Sequence, residues 1–201
     1  DFGRLVDLFG GASDLRRKKI RILHEQSFVD DPTRLLRAVR FEQRYGFKIE
    51  PVTLHCLKSA VREGLLEKVE PQRLRDDLVL VLKEKYPLRE IRRLKVLSGF
   101  HFISPQVSVS SKTLSLLVSV HRQILWFERN HHQRRGLEAW LIYFMGILDG
   151  LDAPAVKEIC RRFAFRKGEG KRIESLKKMN RRSLGALCQK NASASSVFEF
   201  F

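Results

Sequence analysis

The segment spanning residues 28–47 carries the side chains whose types and spacing suggest chemistry. Asp31 and Arg34 lie three residues apart at the start of a predicted helix, so their side chains stand one turn apart on the same side. A carboxylate only accepts hydrogen bonds and a guanidinium only donates them. The pair therefore matches the edge of adenine or cytosine, which donates from an amine and accepts at a ring nitrogen. The alternative is that Asp31 only caps the helix and pairs with Arg34.

Four arginines form a stripe along this predicted helix, which should begin at Pro32 and end before Gly46. They are Arg34, Arg37, Arg40 and Arg44. Like charges at this spacing repel one another, so a solvated surface explains the stripe poorly and an anionic ligand explains it better. Leucine and valine side chains on the adjoining face indicate that the helix also packs against a core. The sequence thus favours a nucleotide site with its phosphates near the arginines.

The stretch DDPTRLLRAVRF resembles the nucleotide-selecting motif of the class II tRNA nucleotidyltransferases and bacterial poly(A) polymerases. That motif is an acidic pair, two residues, then Arg-x-x-Arg-x-x-Arg-Phe, and the chain matches it at Asp30, Asp31, Arg34, Arg37, Arg40 and Phe41. Upstream, VDLFGGASDL resembles the family segment that joins the catalytic head to the neck, through Asp7, Gly11 and Asp14. Downstream, PQRLRDDL resembles the next neck motif through Arg73, with Asp77 where the family usually has Glu.

The resemblance implies an RNA nucleotidyltransferase that works without a template and adds CCA, or the final A, to tRNA 3′ ends. ATP and CTP would be its substrates and Mg²⁺ its cofactor. Asp31 and Arg34 would read the base, and Arg37 and Arg40 would hold the triphosphate or the primer end. The remaining matched residues would support this site: Asp30, Phe41, Asp7, Gly11, Asp14, Arg73 and Asp77.

The catalytic residues themselves are expected to lie outside this chain. Phosphoryl transfer usually needs paired carboxylates that hold two metal ions, and in the family these lie on the head, ahead of residue 1. We therefore expect neither catalytic nor metal-ligating residues here, and a chain that is inactive alone. Two alternatives stay open: a poly(A) polymerase of the same family, and a non-catalytic helical RNA-binding module.

The charge of the chain points to a polyanionic partner. Its net charge is +16, from 39 Lys and Arg against 23 Asp and Glu. Such an excess favours structured nucleic acid, which the resemblance narrows to tRNA. Residues 157–182 hold eleven Lys or Arg and three acids, and a solvated helical surface is the alternative there. The predicted RNA-binding residues are Arg161, Arg162, Arg166, Lys167, Lys171, Arg172, Lys177 and Lys178.

The apolar pattern predicts a mainly α protein: a helical neck and body behind a short N-terminal β-hairpin left from a truncated nucleotidyltransferase head. Residues 4–23 should form that hairpin, and the chain starts at Asp1, so a fragment is expected. Residues 1–27 would end the head, 28–99 would form the neck, and 100–201 the body and the start of a tail. Residues 100–111 should be a polar hinge. Further helices are predicted at residues 51–64, 73–84, 87–99, 112–127 and 136–149.

Cysteine use and hydropathy indicate the compartment. Cys56, Cys160 and Cys188 are odd in number and far apart, which favours a reducing cytoplasm over a disulfide framework. No apolar run approaches the length needed to span a membrane, and no signal peptide opens the chain. We therefore expect a cytoplasmic protein with no membrane partner, and the sequence leaves its oligomeric state open.

Overall fold

The computed structural model describes residues 3, 6–130 and 137–178. Within that part the backbone is mainly helical, as predicted, with one two-stranded sheet. The chain divides into two compact units, Asp1–Gly150 and Leu151–Phe201. The predicted functional boundaries after residues 27 and 99 are a separate matter and stay predictions.

The first unit contains eight α-helices and two short strands among its described residues. The helices are α1 (Gly11–Arg16), α2 (Ser27–Asp30), α3 (Arg34–Tyr45), α4 (Pro51–Arg62), α5 (Pro71–Leu82), α6 (Pro87–Leu97), α7 (Ser111–Asn130) and α8 (Ala139–Ile147). The strands are β1 (Lys19–Ile20) and β2 (Lys48–Ile49), and a 3₁₀ turn covers Leu66–Lys68. Proline opens α4, α5 and α6, where a missing N–H costs no intrahelical bond. The five predicted helices after residue 50 are all present, with ends that differ by a few residues.

Helix α3 packs against α5 and α6, and this packing positions the predicted site. Leu35, Leu36 and Val39 are at most 1% exposed, as the apolar face of α3 requires. A bidentate ion pair adds to the contact with α6, because Arg93 Nε and Nη2 donate to Glu42 at 2.6 and 2.9 Å. At its end, α3 closes on Gly46, whose φ of 63° is the left-handed conformation that glycine adopts without strain.

The predicted β-hairpin at residues 4–23 is wrong. Residues 6–9 form no strand, helix α1 occupies the expected turn, and β1 pairs in parallel with β2, which follows α3. The physical reason lies in Asp7, whose carboxylate accepts the backbone N–H groups of Gly11 at 2.8 Å and Ala12 at 2.9 Å. These bonds satisfy donors that a short helix leaves open at its start. The Gly-rich segment therefore begins a helix instead of reversing a strand.

Residues 100–110 lie outside the helices but do not form the predicted polar hinge. Phe100, Phe102, Ile103 and Val107 are each at most 1% exposed, so this segment packs into the core of the first unit. Polar residues are interspersed with apolar ones along this segment. The apolar side chains are the buried ones, and they hold the segment against the core.

The second unit contains α9 (Ala153–Arg162) and α10 (Lys167–Lys178) in its described part. Asp152 caps α9, since its Oδ1 accepts the N–H of Ala155 at 2.9 Å. The two helices pack against each other around Val156, Ile159 and Phe163. Across the described residues of both units, no helix combines the length and the apolarity that membrane crossing requires.

Candidate functional site

Asp31 lies in the turn between α2 and α3 and organises the start of the site. Its Oδ1 accepts the backbone N–H of Thr33 at 3.1 Å and the Thr33 hydroxyl at 2.8 Å. This turn occupies Pro32 and Thr33, so α3 begins at Arg34, slightly later than predicted. Asp31 and Thr33 are both buried. One carboxylate oxygen is thus bonded to the backbone and hydroxyl of Thr33, and the other is left for charged groups.

The second oxygen of Asp31 meets two arginines. Arg73, in the first turn of α5, donates from Nη2 to Asp31 Oδ2 at 2.7 Å. Arg34 Nε lies 3.8 Å from the same oxygen, and Arg34 Nη1 donates to the carbonyl of Ser27 at 3.0 Å. The structure therefore brings together two predicted base-reading residues and one predicted supporting residue. Both guanidiniums keep large exposed fractions, 42% for the Arg34 side chain and 59% for Arg73.

This arrangement presents donors and one buried acceptor at a surface that solvent reaches. A ligand edge with one donor and one acceptor could share Asp31 Oδ2 and take a hydrogen bond from Arg34. Such a ligand would compete with Arg73 for the carboxylate oxygen. We therefore expect the contact between Arg73 and Asp31 to change when a ligand binds.

Arg37 is an exposed cation of the predicted stripe. Within the described part of the chain, no hydrogen bond or ion pair engages its side chain. A solvated guanidinium one turn beyond Arg34 is available for a bidentate contact with phosphate.

Arg40 and Arg44 differ from Arg37, because both point toward Glu84. Arg44 Nε donates to Glu84 Oε2 at 2.9 Å, and its Nη2 lies 2.6 Å from Oε1. Arg40 Nε lies 3.6 Å from the same Oε1, and the Arg40 side chain is only 14% exposed. This carboxylate removes much of the repulsion from which the anionic ligand was inferred. Among the four arginines, Arg37 alone then lacks an ion pair in the described part of the chain, since Arg34 lies beside Asp31, and the role of Arg40 stays a prediction.

Sequence reasoning missed Glu84, which lies 40 residues from Arg44. A weak signal was available, since Glu84 ends a predicted helix, where the helix dipole disfavours an acid. An acid at that position needs a cation nearby, and the arginines of α3 provide two.

The remaining predicted supporting residues fall into two groups. Gly11, Asp14 and Phe41 line one cleft of about 360 Å³ that does not include Asp31. In that cleft Asp14 accepts Arg21 Nε at 2.9 Å, and the Phe41 ring stacks on Tyr45 with centroids 6.0 Å apart.

Three supporting residues lie outside that cleft. Asp7 caps α1, and the N–H groups of Ala12 and Gly11 lower the pKa of its carboxyl. Asp30 is exposed, with Oδ2 3.7 Å from His24 Nε2. Asp77 is half-buried on α5, one turn after Arg73. None of the three contacts Asp31 through a hydrogen bond or ion pair among the described residues.

The predicted RNA-binding residues lie on α9, on α10 and on the turn between these helices. Five are exposed: Arg161, Arg166, Lys167, Lys171 and Arg172. Arg161 is held by Glu158, with Nε–Oε2 at 2.9 Å and Nη2–Oε1 at 2.6 Å, so its charge is partly compensated. Arg162 lies 5.3 Å from the Phe163 ring centroid, and Lys177 is half-buried. The Lys178 side chain lies outside the described part.

A cleft of about 470 Å³ separates α9 from α10. Its rim carries the cations of Lys157, Arg161, Lys167 and Lys171, together with the acids Glu158 and Glu174. Basic side chains on two neighbouring helices can neutralise several phosphates of one strand at once.

Comparison with known proteins places these features in a family. No protein-family model matches the chain. The A-adding tRNA nucleotidyltransferase of Geobacter sulfurreducens is 40% identical over 163 residues, which are 81% of this chain and 18% of that protein. The corresponding enzyme of Aquifex aeolicus is 35% identical over 159 residues, 76% of this chain and 18% of that protein.

Solved structures agree with these relatives. The CCA-adding enzyme of Thermotoga maritima, complexed with tRNA, superposes on the whole chain with a TM-score of 0.81 and 36% identity. A CCA-adding enzyme with ATP does so with a TM-score of 0.79 and 34% identity. The chain is a relative of the tRNA nucleotidyltransferases. The resemblance predicted from the motif residues is therefore confirmed.

This tRNA nucleotidyltransferase relative spans only part of the proteins it matches. It covers 18% of each of the two curated enzymes, 48% of the Thermotoga maritima chain and 50% of the chain bound to ATP. Among its described residues, no group of three or more His, Cys, Asp or Glu side chains could hold a metal ion. These residues do not fit the Mg²⁺ that the family implies, so no reaction step is assigned to that ion here.

Proposed function

We propose that this chain is the nucleotide-selecting and tRNA-binding portion of an enzyme that adds CCA, or the final A, to tRNA 3′ ends. One observation supports it above all: the buried Asp31 carboxylate lies against Arg34 and Arg73, with the exposed Arg37 one turn beyond. Residues 28–99 would select the nucleotide, residues 100–201 would bind the tRNA, and residues 1–27 would join the catalytic head. Such an enzyme would work in the cytoplasm.

Base choice follows from hydrogen-bond chemistry at Asp31 and Arg34. Adenine and cytosine offer an amine donor beside a ring acceptor, which complements the carboxylate and the guanidinium. Guanine and uracil offer a carbonyl and a ring N–H instead, so two acceptors or two donors would meet. Each such mismatch costs on the order of 1–3 kcal/mol when the groups are desolvated. The site would therefore accept ATP and CTP and refuse GTP and UTP.

Phosphate binding is assigned first to Arg37 and then to Arg40. Arg37 is solvated and can reach a triphosphate or primer end without breaking a contact. Arg40 is mostly buried near Glu84 and would have to exchange part of that contact for phosphate. Both roles are proposals, with Arg37 expected to have the larger effect.

Nucleotide binding by this chain tests the proposal directly. Calorimetric titration should give tighter binding for ATP and CTP than for GTP and UTP. Asp31→Ala should weaken the binding of ATP and abolish the preference for ATP and CTP. Arg37→Ala should instead weaken the binding of all four nucleotides alike. Asp76→Ala is the matched control, because it removes another aspartate that pairs with arginine, here Arg75 at 2.8 Å. If Asp31→Ala retains the preference, Asp31 serves only as a cap.

We also infer that catalysis requires residues outside this chain. Paired carboxylates and their Mg²⁺ would lie on a catalytic head, as the resemblance implies. Incubation of the chain with Mg²⁺, ATP, CTP and a tRNA that lacks its CCA end should give no extension. Incorporation above background would overturn this inference. The A-adding and CCA-adding names of the relatives favour the tRNA branch of the family over a poly(A) polymerase.

A further inference from the structure

Helices α3 and α5 are connected by ion pairs near both of their ends. Asp31, just before α3, pairs with Arg73 in the first turn of α5 at 2.7 Å. At the other end, Arg44 pairs with Glu84, two residues beyond α5, at 2.6 Å. The helices therefore run in the same direction, and the 10 residues of α5 from Arg73 to Leu82 span about 14 Å at 1.5 Å of rise per residue. Two connections this far apart fix how one helix lies along the other.

The carboxylate of Glu84 is largely removed from water, whereas the Arg44 side chain that binds it is 44% exposed. The Glu84 side chain is 7% exposed, and its carboxylate receives Arg44 while Arg40 Nε lies 3.6 Å away. Buried Arg40 Nε has no hydrogen-bond partner in the described structure. Removing one member of a buried charge cluster leaves the other uncompensated, which costs far more than removing an exposed pair. Glu84 is therefore placed to control the position of α3.

The opposite end of the same helix pair holds the nucleotide-selecting residues. In the present register of α3 on α5, Arg73 reaches Asp31 directly. A shift of one residue would move the groups by about 1.5 Å along the axis, enough to break a hydrogen bond of 2.7 Å. The contacts that Glu84 makes with Arg40 and Arg44 therefore influence the contact between Arg73 and Asp31, through the register of α3 on α5.

We propose that Glu84 is a positioning residue for the nucleotide site, which holds Arg40 and Arg44 and thereby sets the register of α3 on α5. The inference rests on the proposed function for its main readout, nucleotide selection. Glu84 would not need to touch the nucleotide. It acts through α3, on the contact between Asp31 and Arg73.

Glu84→Gln tests this role, because glutamine keeps the shape and removes the charge. ATP affinity of the chain should fall by about tenfold, and the preference for ATP over GTP should narrow. Glu158→Gln is the matched control, since Glu158 holds Arg161 with the same two distances, 2.9 and 2.6 Å, in the second unit. That control should leave ATP affinity within about twofold. A folded Glu84→Gln chain with unchanged affinity and preference overturns the proposal.

A charge exchange guards against simple loss of folding. Glu84→Arg and Arg44→Glu should each weaken ATP binding, and the double variant should recover at least part of the affinity, because it restores an ion pair at unchanged net charge. Circular dichroism identifies any variant that does not fold, and Glu84→Asp then replaces it. If the folded double variant binds ATP no more tightly than the single variant with the lower affinity, the proposed role of the ion pair is wrong.

The two proposals can fail separately. If the parent chain binds no ATP, the proposed nucleotide site is wrong. The positioning role of Glu84 is then tested by unfolding experiments in the absence of nucleotide. Glu84→Gln and Arg73→Gln alter opposite ends of α5, where independent substitutions have additive effects on stability. Measurable non-additivity in urea unfolding supports positioning through α3 and α5. Strict additivity contradicts it.

Discussion

The two oxygens of Asp31 have different environments, and this difference is the basis of the site at the residue scale. Oδ1 is held by Thr33 within the turn, while Oδ2 meets Arg73 and Arg34. The sequence predicted the neighbourhood of Asp31 and Arg34 because three residues correspond to about one helical turn. Spacing could not pair Asp31 with Arg73, since 42 residues separate them. Only the family resemblance placed Arg73 near the site, without naming its partner.

Glu90 provides a prediction at the same scale. Its side chain is buried in the first turn of α6, and its Oε2 has no hydrogen-bond partner in the described structure. Burial, with a smaller contribution from the charge of Glu84, raises the pKa of Glu90 from 4.5 to about 7. Because the folded chain then holds this proton more tightly, its contribution to stability is complete below about pH 4.5 and is lost as the pH rises through about 7.

Glu90→Gln should therefore reduce the loss of stability between pH 5 and pH 8, because glutamine does not titrate. The shift corresponds to roughly 3 kcal/mol at most. Urea unfolding of the parent and the variant at several pH values measures the difference. Glu63→Gln, at an exposed position, is the control and should follow the parent. Parallel curves for the parent and Glu90→Gln would contradict the prediction.

At the scale of elements, local signals predicted helices better than they predicted strands. Proline and glycine mark the limits of α4 and α6 because each acts on the backbone of its own position. The strand prediction failed because a short strand depends on its partner, and β1 finds its partner 29 residues later. The cap from Asp7 converts the same Gly-rich segment into α1.

Packing of α7 on α8 gives a prediction at the element scale. A Cβ added at Gly146 would lie 2.6 Å from Leu117 Cδ2, and Leu117 is fully buried. Gly146→Ala should therefore destabilise the chain by about 1–3 kcal/mol, despite the better helix propensity of alanine. Gly150→Ala is the control, since nothing lies within 4 Å of its added Cβ. Thermal unfolding compares the melting temperatures of the two alanine variants. Adding Leu117→Val should restore part of the stability lost in Gly146→Ala. Equal melting temperatures for Gly146→Ala and Gly150→Ala would contradict the prediction.

At the scale of the whole molecule, the positions of the charges say more about which cations can bind a polyanion than the net charge does. The chain has a net charge of +16, but Glu84, Glu42 and Glu158 each bind arginine, so part of the positive charge is compensated locally. Composition predicted a polyanionic partner and could not show which cations are compensated. The exposed cations on α9 and α10 are the strongest candidates for phosphate contacts.

Charge reversal tests whether this patch binds tRNA or only adds to the net charge. Arg166→Glu, Lys167→Glu and Lys171→Glu together should weaken tRNA binding by at least tenfold, because each cation would neutralise a phosphate and release a counterion. The slope of log affinity against log salt should also become shallower by roughly 0.7–0.9 for each phosphate that the variant no longer neutralises. Filter binding or fluorescence anisotropy at several salt concentrations measures both. Reversal of Lys58, Arg62 and Lys68, which are also exposed, changes the net charge equally and is the control. If that control variant shows the same decrease in affinity and slope, long-range charge accounts for binding, and α9 and α10 form an ordinary solvated surface.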